Sequence, residues 1–169
     1  MSTRACLRVW FGLWVLSVTS AVGTALVPAL RDGVQSWLAL RLEPHAADGG
    51  YLVGIVVHNL RAAGWPLLVA ARAARWPSRG RFIAATLVTT AATVNVVPVG
   101  AALGAYGAAV IPYLTHLPLE WAALSIPLGA CLAARHQQPS VRQLALAAGA
   151  FCVLVLTAGL AETYLTPHT

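Results

Sequence analysis

Long apolar blocks alternate with short polar segments along the chain, and the block lengths predict membrane-spanning helices. A span needs about 20 apolar residues to cross a bilayer, and the blocks lack the two-residue alternation of a transmembrane β-barrel. We therefore predict an all-α membrane protein with one transmembrane domain, residues 1–169. Its five spans are placed at residues 9–30, 51–71, 82–97 with an extension over 99–114, 116–134 and 143–161.

The first apolar block allows a second interpretation. Residues 23–25 (Gly-Thr-Ala) resemble the small-residue cleavage site of a signal peptide. The apolar character continues to Leu30, however, beyond the point where such a site would end the block. This continuation favours an uncleaved span.

The apolar run from residue 82 to residue 114 is too long for one straight span. Asn95, Pro98 and Gly100 interrupt it, so we place the end of the third span near Val97. The remaining piece, 99–114, either extends the third span or folds back as a re-entrant or broken helix. Both alternatives keep it from crossing the membrane by itself.

The segment from residue 31 to residue 50 mixes charged and apolar side chains. Val34, Trp37, Leu38 and Arg41 recur at helical spacing, which predicts an amphipathic helix near residues 33–43. Trp37 would anchor this helix at the membrane interface.

Composition excludes a soluble globule, since 59% of the residues are hydrophobic and only 9% are charged. The net charge of +6 comes from 11 arginines with no lysine. These arginines cluster between apolar blocks, which indicates membrane topology and no nucleic-acid binding. The arginine-rich N-terminus and the loops 72–81 and 135–142 are expected in the cytoplasm, with residues 31–50 and the C-terminus outside a bacterial cytoplasmic membrane.

Polar residues within the predicted spans are the candidate functional residues, because polar groups in a bilayer are costly and need partners. Counting residues along each helix places most of them in the outer half of the bilayer. We expect an intramembrane polar cluster of His58, Asn59, Arg61, Asn95, His116 and Glu120.

Glu120 is interpreted as the only acidic residue within an apolar block, and we expect it to contact the second span through His58, Asn59 or Arg61. Three roles for the cluster are open. A structural role in fixing helix register is favoured, because polar pairs often hold membrane helices together. A transport or proton-relay site is the alternative. A hydrolase using Ser125 and a histidine is disfavoured, because a serine in a span usually packs.

Gly100 and Gly104 lie four residues apart on one helix face. Small residues at this spacing allow two helix backbones to approach closely. We expect both glycines to face another helix.

Sequence motifs for catalysis or cofactor binding are missing. The chain contains no Gly-x-Ser-x-Gly, no His-Glu-x-x-His and no phosphate-binding loop. Its three cysteines do not have the spacing of a zinc site or a disulfide framework. The sequence thus predicts no enzyme activity, no cofactor and no metal.

Residues 115–123 (THLPLEWAA), followed by 127–130, resemble the signature of the stage II sporulation protein M family. In that family Pro-His-Gly, two residues and then Glu-Leu-Pro-Ala begin the fourth span. His116 and Glu120 match the His and Glu, whereas Leu117 replaces the Gly. His58-Asn59 stands in the place of a paired Asn in the family's second span, and the resemblance covers about residues 50–135. The family's third segment, which contains Asn and Gly, has counterparts in Asn95, Gly100 and Gly104.

The resemblance implies a non-catalytic, five-span integral membrane protein with its N-terminus inside. The family's namesake helps to assemble a membrane complex with cell-wall hydrolases, and relatives are linked to maturation, export or immunity of circular bacteriocins. We therefore expect a scaffold or assembly subunit of a membrane complex. The alternative is a transporter or permease subunit for a peptide or a small hydrophobic substrate. Expected partners are the lipid bilayer, a membrane protein or a second copy of the chain, and an ATPase or a cell-wall hydrolase.

Overall fold

The computed structural model describes residues 3–39, 48–73, 75–135 and 139–165, and every regular element in these ranges is a helix. Four helices are long and apolar enough to cross a membrane, the third of them together with its 3₁₀ continuation, and α5 is shorter. The elements are α1 (Thr3–Leu26), α2 (Pro28–Ala39), α3 (Gly49–Ala73), α4 (Ser78–Tyr106), a 3₁₀ helix (Gly107–Leu114), α5 (Leu117–Ala133) and α6 (Val141–Leu165).

The first predicted span, residues 9–30, is divided in the structure. Helix α1 ends at Leu26 and α2 begins at Pro28, because a proline has no N–H to donate and fits the first position of a new helix. The helix expected near residues 33–43 therefore starts earlier, and residues 40–43 lie outside the described part of the chain. Helix α2 packs on the end of α4, where Gln35 donates a 2.9 Å hydrogen bond to the carbonyl of Ala105.

The predicted end of the third span near Val97 is wrong, because α4 continues without a break to Tyr106. A membrane helix tolerates an internal proline when neighbouring helices stabilise the backbone around it. Ser20 of α1 does so by donating a 2.9 Å hydrogen bond to the carbonyl of Val97, next to Pro98. The chain changes direction only at Gly107, which has a φ of 59°. Residues 99–106 thus continue the helix of the third predicted span, which was one of the two alternatives, and residues 107–114 form the 3₁₀ helix.

Helices α1 and α4 approach each other closely at two glycines. A Cβ atom added to Gly100 would collide with the carbonyl oxygen of Ser17, and one added to Gly104 would collide with that of Ala21. Both glycines thus face another helix, as their spacing predicted. Because the order of contacts is the same on both helices, α1 and α4 run parallel.

Helix α5 lies in the centre of the bundle. Trp121 is 4% exposed and packs edge-on against Trp14 of α1, with 4.2 Å between ring centroids. Small residues at other buried positions of α5 let the neighbouring helices come close. The most buried positions of α5 include Ala123, Leu128, Gly129, Ala130 and Cys131.

The arginine-rich segments gather at one end of the bundle, which we call the arginine end. The guanidinium of Arg135, after α5, lies 5.3 Å from the ring of Phe82 at the start of α4. Gly129, near the end of α5, faces Cys6 at the start of α1. Helices α3 and α6 are antiparallel, because Gly64 faces Phe151 while Val56 faces Gly159. The end of α3 and the start of α6 therefore also lie at this end.

Candidate intramembrane polar site

A polar site lies at the end of the bundle opposite the arginine end, and we call this opposite end the outer end. It forms where the first half of α3, the first turn of α5 and the last turn of α6 meet, because α3 and α5 run parallel there and α6 runs against them. The polar side chains that line its cavity are Tyr51, His58, Asn59, His116, Glu120 and Glu162.

Asn59 and Glu120 form the central contact of this polar site. The Asn59 side-chain amide donates a 2.8 Å hydrogen bond to Oε1 of Glu120. The contact joins α3 to α5, so the predicted contact between Glu120 and the second span is present, and Asn59 makes it. The remaining carboxylate oxygen of Glu120, Oε2, is turned towards His116.

His116 lies just before α5 and is 8% exposed. Its Nε2 atom faces two carboxylates, at 3.8 Å from Oε2 of Glu120 and 3.9 Å from Oε2 of Glu162. Both distances exceed hydrogen-bonding range. The other ring nitrogen, Nδ1, is buried and has no hydrogen-bond partner among the described residues.

Glu162 is a site residue that the sequence analysis missed. The last span was predicted to end at Ala161, but α6 continues to Leu165 and brings Glu162 into its last turn. Glu120 is therefore not the only acidic residue on a long apolar helix. The Tyr51 hydroxyl donates a hydrogen bond to Glu162, and His58 lies close enough to the same carboxylate for an electrostatic interaction.

The buried positions of α6 explain why Glu162 faces the other helices. Val155, Ala158 and Gly159 are buried and precede Glu162 by seven, four and three residues. Residues at these spacings share one helix face. The face that packs against the other helices thus includes Glu162.

Two cavities flank the Asn59–Glu120 pair. The outer cavity has a volume of about 410 Å³ and includes His58, His116 and Glu162 in its lining. The inner cavity has a volume of about 240 Å³ and is bordered mainly by small and apolar side chains, with Asn95 as a further polar group. Asn59 and Glu120 line both, so this pair stands between the two cavities.

Two residues of the predicted cluster do not join it. Arg61 is exposed on α3. Asn95 is also exposed; it borders the inner cavity, but its amide donates a 2.7 Å hydrogen bond to the carbonyl of Ala91 on its own helix. Ser125 is buried and donates to the carbonyl of Ala122, which satisfies its hydroxyl within α5.

Three side chains of the polar site could together hold a metal ion. One ligand atom each from His116, Glu120 and Glu162 lies within 4.8 Å of the others.

No protein-family model, no curated protein and no solved structure matches this chain. The function is therefore inferred from the geometry of the site and from the residues of the sequence.

Proposed function

We propose that this chain is a non-catalytic integral subunit of a bacterial cytoplasmic membrane complex, acting as a scaffold or assembly subunit. The namesake of the stage II sporulation protein M family, which the sequence resembles, helps to assemble such a complex. The observation that carries the proposal is that polar side chains at the outer end bind one another across three helices. Asn59 donates a hydrogen bond to Glu120, and Tyr51 donates one to Glu162, so α3 is bonded to both α5 and α6.

Such mutual hydrogen bonding favours a rigid outer end. Polar contacts between membrane helices fix their register and orientation. A scaffold needs this rigidity, because a partner recognises a surface that keeps one shape. A transport cycle, in contrast, needs these contacts to break and re-form.

The proposed topology has five spans, with the N-terminus in the cytoplasm and the C-terminus outside. Its support is the arginine end, since positively charged segments remain on the cytoplasmic side. Helix α5 has 17 residues and thus a length of about 25 Å, slightly less than the hydrocarbon core of a bilayer. We count it as a span because it connects the two ends of the bundle beside α4.

Capture of a partner from membranes tests this function. The chain, carrying a streptavidin-binding tag, is cross-linked in cells and purified in a mild detergent. We expect one membrane protein or cell-wall hydrolase to co-purify in fixed ratio with the chain. Gly104→Leu, which breaks the α1–α4 packing, should lose that partner, and Gly149→Leu should keep it, because Gly149 has open space around it. Purification of the chain without any partner in constant ratio would refute the proposal.

A transporter or permease subunit is the second candidate, and the two cavities favour it. They lie on either side of the Asn59–Glu120 hydrogen bond, which would act as a gate. Ethidium, a small hydrophobic cation, is a suitable probe for efflux from cells that express the chain. This candidate requires Glu120→Gln to abolish efflux at unchanged protein level. Equal efflux with and without the chain would refute transport of this class of substrate. An ATPase that co-purifies with the chain would favour the transporter over the scaffold.

A further inference from the structure

The group formed by His116, Glu120 and Glu162 joins two carboxylates and an imidazole in a largely buried place. The side chains of the two glutamates are 26% and 24% exposed. The whole chain has only five acidic residues. Two of them meet here, although one lies in α5 and the other in α6. Two ionised carboxylates whose oxygens lie within 4.8 Å of one another repel each other in a poorly hydrated place, and a bound cation would relieve that repulsion.

His116 supplies an independent reason to expect a ligand. A buried imidazole normally has a hydrogen-bond partner. The ring of His116 has none within the described residues, since Nδ1 is unpartnered and the distances from Nε2 to both carboxylates are too long. Because Nε2 lies 3.8 Å from one carboxylate oxygen and 3.9 Å from the other, a group bound between these three atoms would give Nε2 a partner.

Two side chains of α3 also orient the carboxylates of the site. Asn59 binds Oε1 of Glu120 and leaves Oε2 directed at His116. Tyr51 donates to Glu162 from the same helix, α3. Hydrogen bonds that hold ligating side chains in position are the usual second layer of a metal site.

We propose that His116, Glu120 and Glu162 bind a first-row divalent transition metal that enters from the outer cavity and joins α5 to α6. Ligands of one tetrahedral zinc ion, each about 2.1 Å from it, lie about 3.4 Å apart. The observed separations of 3.8 and 3.9 Å thus need to shorten by roughly 0.5 Å. His58, which lines the same cavity, or water completes the coordination.

The chemistry of the ligands selects the class of ion. Imidazole together with carboxylates suits zinc, manganese, cobalt and iron, whereas calcium and magnesium prefer oxygen ligands alone. The metal would be structural, since it joins α5 to α6, the two helices that the hydrogen bonds attach separately to α3. This inference does not depend on the scaffold function.

Metal binding to the purified full chain tests the proposal. The protein is prepared in detergent without a polyhistidine tag, treated with a chelator and titrated with Zn²⁺, Mn²⁺ and Ca²⁺. We expect about one Zn²⁺ per chain with a raised melting temperature. Co²⁺ should give the visible absorption of a nitrogen- and oxygen-ligated ion. Ca²⁺ binding as tight as that of Zn²⁺ would overturn the assignment to a transition metal.

Variants locate the ion within the chain. Glu162→Gln and His116→Gln should lose the bound ion, and Asn59→Ala should bind it about 10- to 100-fold more weakly. Asp32→Asn is the matched control, because Asp32 is an exposed acid on α2 and should leave binding unchanged. Circular dichroism of the metal-free variants shows whether each one is folded. A folded Glu162→Gln protein that binds Zn²⁺ like the wild type overturns the proposal, whatever the result of partner capture.

Discussion

Asn59 donates a 2.8 Å hydrogen bond to Glu120 across 61 residues of sequence, and this contact fixes α3 to α5 at the outer end of the bundle. It is a bond from a neutral amide to a carboxylate and not an ion pair between Glu120 and Arg61, which is exposed. The two kinds of contact differ in the destabilisation expected when Glu120 is replaced. Loss of Glu120 would leave the amide of Asn59 without its acceptor. It would not leave a buried arginine without a partner, because Arg61 is exposed.

Glu120→Ala should therefore destabilise the protein by about 1–3 kcal/mol, the cost of leaving a buried polar group without its partner. Glu120→Gln should be milder, because its amide oxygen still accepts from Asn59. Unfolding in mixed detergent micelles measures both differences. Asp32→Ala, at an exposed acid, is the control. A stability of Glu120→Ala equal to that of the wild type would show that the contact does not hold the helices together.

Gly104→Ala should destabilise the protein although alanine favours helices, because the new Cβ would collide with the carbonyl oxygen of Ala21. Overpacking of this kind costs about 1–3 kcal/mol. Gly149→Ala is the matched control, since a Cβ there meets nothing within 4 Å. It should leave the melting temperature unchanged or raise it. Equal melting temperatures of the two variants would argue against close packing of α1 and α4.

Trp121→Ala should be strongly destabilising, because Trp121 is 4% exposed and packs on Trp14 at the centre of the bundle. Truncation of a buried tryptophan costs about 3–5 kcal/mol. Trp76 is 39% exposed, and Trp76→Ala should cost much less. Thermal unfolding followed by circular dichroism compares the two, and a larger loss for Trp76→Ala would contradict the central position of α5.

The orientation is testable by labelling single cysteines in a chain whose native cysteines are replaced by alanine. Asp48→Cys should react with a membrane-impermeant maleimide in intact cells, because it precedes α3 at the outer end. Ser140→Cys precedes α6 at the arginine end and should react only after permeabilisation. Labelling of Ser140→Cys from outside would reverse or abolish the five-span topology.

Chain length and hydrophobic pattern alone determined that the protein is helical and suited to a membrane. This follows because backbone groups in a bilayer must bond internally, which leaves helices as the solution for continuous apolar blocks. The close contact at Gly104 was also predictable, since it depends on spacing along one helix. The need of Glu120 for a partner followed from the cost of placing a carboxylate in hydrocarbon.

Only the tertiary structure decided which residues meet. Asn59 and Asn95 have the same side chain and similar predicted depths, yet the rotation of α3 turns Asn59 to Glu120, whereas Asn95 bonds to its own helix. The last predicted span stopped at residue 161, before Glu162, because the residues that follow do not show how far α6 extends. The site therefore depends on helix rotation and on helix ends. Packing between distant segments sets the rotation and the ends of each helix. Neither can be inferred from the hydrophobic pattern along the chain.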